Sequence, residues 1–300
     1  MGTGGQPQSS LFPQTPNRFK MENYRRTIYG GVLQTAAILG IELDVPQVTT
    51  LNEKLGILST ATLGTNERPL MRYFSIGIGG HASRVGANGK VIIDSVQHRA
   101  KDSAPYEMIP FAARPLDADF DATEREKYAL RRIEVIKGAE YAVYYLRRLD
   151  MTNVVVELKK KTVVGGVATV ETFVPSASDL SPVPPVINPG NVNVIDGEYV
   201  YATAKITIDI NEDETADILN AVEILYDDVN YAFLSEICFV TAVDRQANTP
   251  IQGGSTTTMT EAACAQAFCH VAAMQALFNQ RKGFTATYDV GIGEPMFNIS

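Results

Sequence analysis

The sequence predicts an α+β fold, antiparallel sheets with several peripheral helices, and three observations point to it. Short apolar runs with alternating side chains recur along the chain, and turn signals such as Asn88-Gly89, Lys137-Gly138 and Gly165-Gly166 separate neighbouring runs. Helical spacing occurs only in isolated segments, without the regular strand–helix–strand alternation of a doubly wound sheet.

Residues 1–20 are rich in Gly, Pro, Gln and Ser and show no hydrophobic period. They are expected to form an arm that is disordered alone or laid on a neighbour. Tyr24, Ile28, Val32, Ala36 and Leu39 recur at helical spacing over 22–39, although each glycine of Gly30-Gly31 costs that helix about 1 kcal/mol against Ala. A short helix is expected over 50–58, after Pro46. Tyr73, Phe74, Ile76 and Ile78 mark a strand over 70–78, and Asn88-Gly89 with Val91-Ile92-Ile93 marks a hairpin and its return. Asp121 is placed to cap a helix from Ala122, with Glu124 in its first turn and Arg131 and Arg132 in later turns, the charge order that suits the helix dipole. Lys137-Gly138 then reverses the chain into a strand over 140–146, where Tyr141, Val143 and Tyr145 share a face.

Val154-Val155-Val156 and Thr162-Val163-Val164 lead through Gly165-Gly166 to a return strand over 167–174. Residues 175–197 contain so much Pro, Ser and Asn that they read as a linker or a long docking loop. They divide an N-terminal α+β region, 21–174, from a C-terminal one, 198–300. Alternation over 199–210 predicts a strand. Ile218, Leu219, Val222 and Leu225 form the stripe of an amphipathic helix over 212–226. A buried strand is expected over 233–243. The Ala-rich stretch 260–278, with Phe268, Val271 and Met274 towards a core, reads as a helix. A strand over 284–292 closes the chain before Pro295.

A chain of 300 residues, 45% hydrophobic and 20% charged, has the balance of a folded protein and room for one large domain or two ordinary ones. The net charge of -8 and a pI near 5.0 argue against a protein whose task is to neutralise phosphates, so nucleic acid is not expected as a main partner. No apolar run approaches the roughly 20 residues that span a bilayer, and no membrane partner is expected. The first residues lack the basic-then-apolar order of a signal peptide, and Gln6 stands where a myristoylation signal wants Ser or Thr. Cys238, Cys264 and Cys269 are too few for a disulfide framework and point to a reducing compartment.

The chemistry-bearing groupings are weak. Gly77-Ile78-Gly79-Gly80 lacks dinucleotide spacing and is followed by a hairpin, and Gly89-Lys90 lacks the rest of a phosphate loop. Asp117, Asp119, Asp121 and Glu124 lack the glycine and terminal bidentate Glu of a calcium loop. Cys264, Cys269 and His270 do not have zinc spacing. His98 near Asp102 and Ser103 is the local grouping with the residue types of a hydrolase, but a base needs its nucleophile beside it in space. The expectation is therefore no catalytic residue, no metal and no cofactor. Arg125, Tyr128, Arg131, Arg132, Tyr144, Tyr145, Arg147 and Arg148 form the stretch richest in side chains favoured at protein interfaces.

The segments MRYFSIGIGGHA and VQHRAKDSAPYEMIPFAARPLDADFDATEREKYALRRIEVIKGAEYAVYYLRRLD resemble virion structural proteins of tailed bacteriophages. The Pro-rich loop followed by DGEYVYATAKITIDI and LNAVEILYDDVNYAFLSEICFVTAVDRQ is similar to the wedge proteins of contractile-tail baseplates, while the Ala-rich segment 260–278 departs from that pattern. The resemblance implies a non-enzymatic subunit, assembled in the host cytoplasm into the virion, whose partners are other virion proteins and copies of itself. A neck, collar or head-to-tail joining protein is the alternative within that class. Outside it stand a hydrolase using His98 and a carbohydrate-binding module, the latter disfavoured by the absence of Trp.

Overall fold

The computed structural model describes residues 24–43, 45, 49–58, 60–164, 167–177, 198–277 and 283–296. The chain opens with β1 (Tyr24–Arg26) and turns at Thr27 into α1 (Ile28–Leu39). The Thr27 hydroxyl accepts the Gly30 N–H at 3.0 Å. A capping residue must be extended, so the single helix expected over 22–39 gives way to an edge strand before it. α2 (Thr50–Leu55) is capped by Thr49 and ended by Gly56 in the left-handed region, shorter than the expected 50–58. Next come β2 (Leu70–Gly77), β3 (His81–Val85) and β4 (Val91–Ser95). Asn88-Gly89 lies in a longer loop than a two-residue turn: Gly86 N–H bonds Lys90 O, Gly89 N–H bonds Gly86 O, and Gly89 takes φ +74°.

β5 (Met108–Ile109) and β6 (Ala112–Pro115) precede α3 (Ala122–Arg125), β7 (Tyr128–Ile136) and β8 (Ala139–Arg148). Asp121 caps α3 as expected, its Oδ1 accepting the Glu124 N–H at 2.9 Å. The helix does not continue through Arg131 and Arg132, which lie in β7. Lys137 and Gly138 both have positive φ, 52° and 83°, as a tight type I′ hairpin turn requires, and the hairpin's ladder outweighs the modest helix propensity of the preceding residues.

β9 (Val156–Val164) and β10 (Val167–Thr172) form the expected hairpin. Of the 175–197 loop, residues 178–197 lie outside the described residues, as does the whole 1–20 arm. β11 (Glu198–Ile210) and α4 (Glu212–Tyr226) follow, the helix opened by a reciprocal capping box between Asn211 and Glu214. The chain ends in β12 (Phe233–Pro250), β13 (Thr256–Ala276) and β14 (Phe284–Met296). Pro295 falls inside β14, where it is tolerated because β14 closes its sheet as an edge strand.

The helix expected over 260–278 is β13. It pairs antiparallel with β12 along its whole length, with three register shifts that absorb its extra residues. One of these shifts leaves Cys264 at φ +53°. Residues Ala262, Ala263, Ala265 and Ala267 are buried on both faces of this strand. A run of small residues fits between two packed layers, and such a run carries neither a 3.6-residue nor a 2-residue period that could have told the two structures apart.

The large sheet runs β1-β13-β12-β2-β8-β6, with β5 on β2 and β7 on β8; a second sheet runs β10-β9-β11-β14, and β3-β4 stand as a two-stranded ribbon. β12 and β13 are therefore built into the same sheet as β2 and β8, so the regions 21–174 and 198–300 share one framework. One core joins Phe74, Ile76 and Phe239 of the large sheet to Ile206, Ile208 and Tyr288 of the second and to Ile218 and Val222 of α4. On the other side Leu51 and Leu55 of α2 cover Tyr73, Leu130, Val240 and Ala265. The fold is α+β, and among the described residues no helix is long and apolar enough to cross a membrane.

Candidate functional site

The chain's most concentrated polar chemistry lies where β2 ends against β12. Gly79 leaves room for segment 98–107: a Cβ there would stand 2.7 Å from Tyr106 Cβ and 2.8 Å from the Glu107 backbone nitrogen. At Gly77 it would meet Glu107 O at 2.6 Å. The glycines of Gly77-Ile78-Gly79-Gly80 serve close backbone approach, not phosphate binding. Glu236 projects into this space from near the start of β12, with no exposed side-chain surface. Its Oε1 accepts the N–H groups of Gly79 at 3.0 Å and Glu107 at 2.9 Å, and its Oε2 accepts the Tyr106 N–H at 2.9 Å. The His98 Nε2 lies 2.7 Å from Oε2. Burial pushes the Glu236 carboxyl upward, but His98 and the backbone N–H groups of Glu107 and Tyr106 outweigh it and leave it below the usual range.

His98 is sandwiched. Tyr106 stacks on one face at 4.1 Å and His270 on the other at 3.8 Å. His270 Nε2 lies 3.0 Å from the carbonyl of Asp102, which can only accept, so that nitrogen carries the proton. Burial, then the neighbouring His98, lowers the His270 pKa to about 4. Asp102 accepts from the Arg99 N–H and the Tyr106 hydroxyl, each at 2.8 Å. Burial opposes its ionisation, yet those bonds and the Arg99 guanidinium hold it at about 2.

The structure thus brings His98 and Asp102 together, 3.5 Å from Nδ1 to Oδ2, but does not complete a hydrolase triad. The His98 ring meets Glu236, Asp102, Tyr106 and His270; Ser103 is not among its partners. Ser235, the hydroxyl next to Glu236, accepts the Gly80 N–H at 2.9 Å. What this arrangement does is fasten segment 98–107 to β12 and β13. A signal for it existed: Glu236 is the lone charge within the apolar run 233–243. Its partners come from 129 or more residues away, where no spacing rule reaches.

The side chains of the Arg/Tyr stretch find partners within their own chain. The Arg131 side chain is fully buried. Its Nη2 bonds Asp119 Oδ2 at 2.6 Å, and its Nη1 bonds Thr249 Oγ1 at 2.6 Å and Pro250 O at 2.7 Å. Asp119 also accepts the Tyr144 hydroxyl at 2.5 Å and lies 3.5 Å from Arg125. Arg132 binds the carbonyls of Leu55 and Gly56, each at 2.9 Å, so it ties the end of α2 to β7. Arg147 pairs with Glu214 of α4 at 2.6 Å, and Arg148 with Asp244 at 2.9 Å. The Tyr145 hydroxyl bonds Glu134 at 2.9 Å, and Tyr128 stacks on Phe120. Desolvation, then the adjacent carboxylates, raises the pKa of Tyr144 and Tyr145. Alternation on β7 and β8 sends these side chains to both faces of a sheet that is covered on both sides, so they meet partners of their own chain.

All three cysteines are buried, and none of them is joined in a disulfide among the described residues. Comparison with curated proteins and with solved structures gives no match. The model of the Family of unknown function (DUF7208) matches residues 14–300, and the chain belongs to that family.

Proposed function

We propose that the chain is a structural subunit of a bacteriophage tail, a baseplate wedge component that acts by packing against other virion proteins and copies of itself. The observation that carries this reading is the β3-β4 ribbon. Among the described residues its two strands pair only with each other, and Val85, Val91 and Ile93 are 71%, 69% and 50% exposed. A two-stranded hairpin is marginal in water unless something covers one face. The second sheet supports the same reading, because Val156, Val164 and Val167 of the β9-β10 hairpin also face outward. Aliphatic side chains grouped on protruding strands suit burial in an assembly. The resemblance to phage wedge proteins supplies the kind of assembly.

The test is a complementation experiment with the triple variant Val85→Asp, Val91→Asp, Ile93→Asp. Mass spectrometry of purified particles should find the wild-type chain in stoichiometric amounts and the variant lost or strongly depleted. The isolated variant should keep its stability within about 0.5 kcal/mol per substitution, the usual range for surface changes. Wild-type chain absent from purified particles defeats the reading. Antibody labelling at the neck instead of the baseplate would move it to the joining proteins.

A further inference from the structure

We infer that the cleft beside the Glu236 anchor is a receptor for an arginine side chain presented by a partner chain. The cleft encloses about 690 Å³ and is lined by His81, Tyr106, Glu107, Asp228, Tyr231 and Phe233, among others. Two carboxylates and three phenyl-type rings therefore share one opening. Among the described residues that line it, none is Lys or Arg.

Each wall group is held from behind. Tyr106 is clamped by its stack on His98 and by its hydroxyl bond to Asp102. The Glu107 backbone is fixed by Glu236, whose Oε1 accepts its N–H at 2.9 Å. Asp228 Oδ1 accepts both the backbone and the side-chain N–H of Asn230, at 2.9 Å and 2.7 Å. Tyr231 stacks on Tyr226 at 5.3 Å, and Phe233 meets the His81 ring edge-on at 4.7 Å. Such a site is preorganised, so a ligand does not have to order it on binding.

The chemistry selects the occupant. A guanidinium combines a fork of N–H donors that matches a carboxylate with a flat face that lies on an aromatic ring, and it sheds water more readily than an ammonium. Tyr106 and Tyr231 remain 38% and 52% exposed, so their faces are open to such stacking. A neutral sugar could also use the rings, but it leaves the two carboxylates uncompensated. That the arginine belongs to a neighbouring subunit rests on the assembly reading above; the selectivity of the cleft does not.

The probe is an N-acetylated, C-amidated tetra-arginine peptide, titrated calorimetrically into the full chain at low salt. A tetra-glutamine peptide and a neutral hexasaccharide serve as the other arms. Tetra-arginine should bind with one-to-one stoichiometry, while the tetra-glutamine peptide and the sugar should not. The double variant Glu107→Gln, Asp228→Asn keeps both hydrogen-bond acceptors and should weaken binding tenfold or more, and Tyr231→Ala at least fivefold. Glu171→Gln, on β10, should change nothing. Equal binding to wild type and double variant would show general attraction to an acidic chain and overturn the proposal. Absence of tetra-arginine binding would overturn it too, as would binding of the sugar in its place. Particle incorporation of the double variant is read separately. If it binds no peptide yet enters particles normally, the arginine does not come from an assembly partner. If the wild-type chain is missing from particles, the assembly reading falls while the peptide result stands.

Discussion

His270 shows how one buried residue ties stability to pH. Its folded pKa of about 4 lies below the ordinary 6.5, so between those values the unfolded chain binds the proton that the folded chain refuses. Stability should therefore be full above pH 6.5 and fall on acidification towards pH 4, by on the order of 3 kcal/mol for that group. Glu236, also lowered, acts in the same direction: its contribution is present above its unfolded value and is lost as pH falls through the folded one. Urea midpoints measured from pH 7.5 to 4 should decline, and His270→Gln should flatten the slope between 6.5 and 4. A flat wild-type profile over that window would contradict the buried neutral histidine. The arginines offer a second test at this scale. Arg131→Ala takes from the desolvated Asp119 its closest cation, leaving it Arg125 at 3.5 Å and the Tyr144 hydroxyl, and should cost about 3 kcal/mol, whereas Arg148→Ala breaks a pair whose Asp244 partner is half exposed and should cost at most about 1 kcal/mol. Equal losses in thermal or denaturant unfolding would refute the distinction. None of this ranking was legible in the run of Arg and Tyr codes, because burial depends on which strands flank them.

At the scale of elements, β13 is the sharpest departure from the sequence reading. Its alanines have high helix propensity, worth a few tenths of a kcal/mol each over other residues, but β12 offers a ladder along the full strand and layers on both faces. Ala265 sits fully buried between them. Ala265→Leu should therefore overpack the core and cost about 1 to 3 kcal/mol. In an Ala-rich helix with an exposed face the same change would be nearly neutral, so an unaltered melting temperature would argue against the strand. The elements that were legible carried local signals strong enough to decide: the apolar stripe Ile218, Leu219, Val222 and Leu225 of α4, the Asp121 cap, and the Lys137-Gly138 turn. The helix expected beyond Arg125 failed because its cap was real but its continuation was decided by β8, pairing across that turn.

The whole molecule is joined by β12, which lies between β13 and β2 and so fastens the last third of the chain to the first. Calorimetric unfolding should accordingly show one transition; two well-separated transitions would restore the division into regions 21–174 and 198–300. Composition, net charge, strand-rich alternation, the Asp121 cap and the Lys137-Gly138 turn were determined by the sequence alone, since each depends on neighbours a few residues apart. The α+β class follows from them. Only the tertiary structure decided that an Ala-rich segment is a strand, that the Arg/Tyr stretch is an internal network and that Glu236 gathers His98 and the backbone of segment 98–107. Those outcomes depend on contacts between residues more than a hundred positions apart, where desolvation and non-local pairing set the energies and local periodicity carries no information.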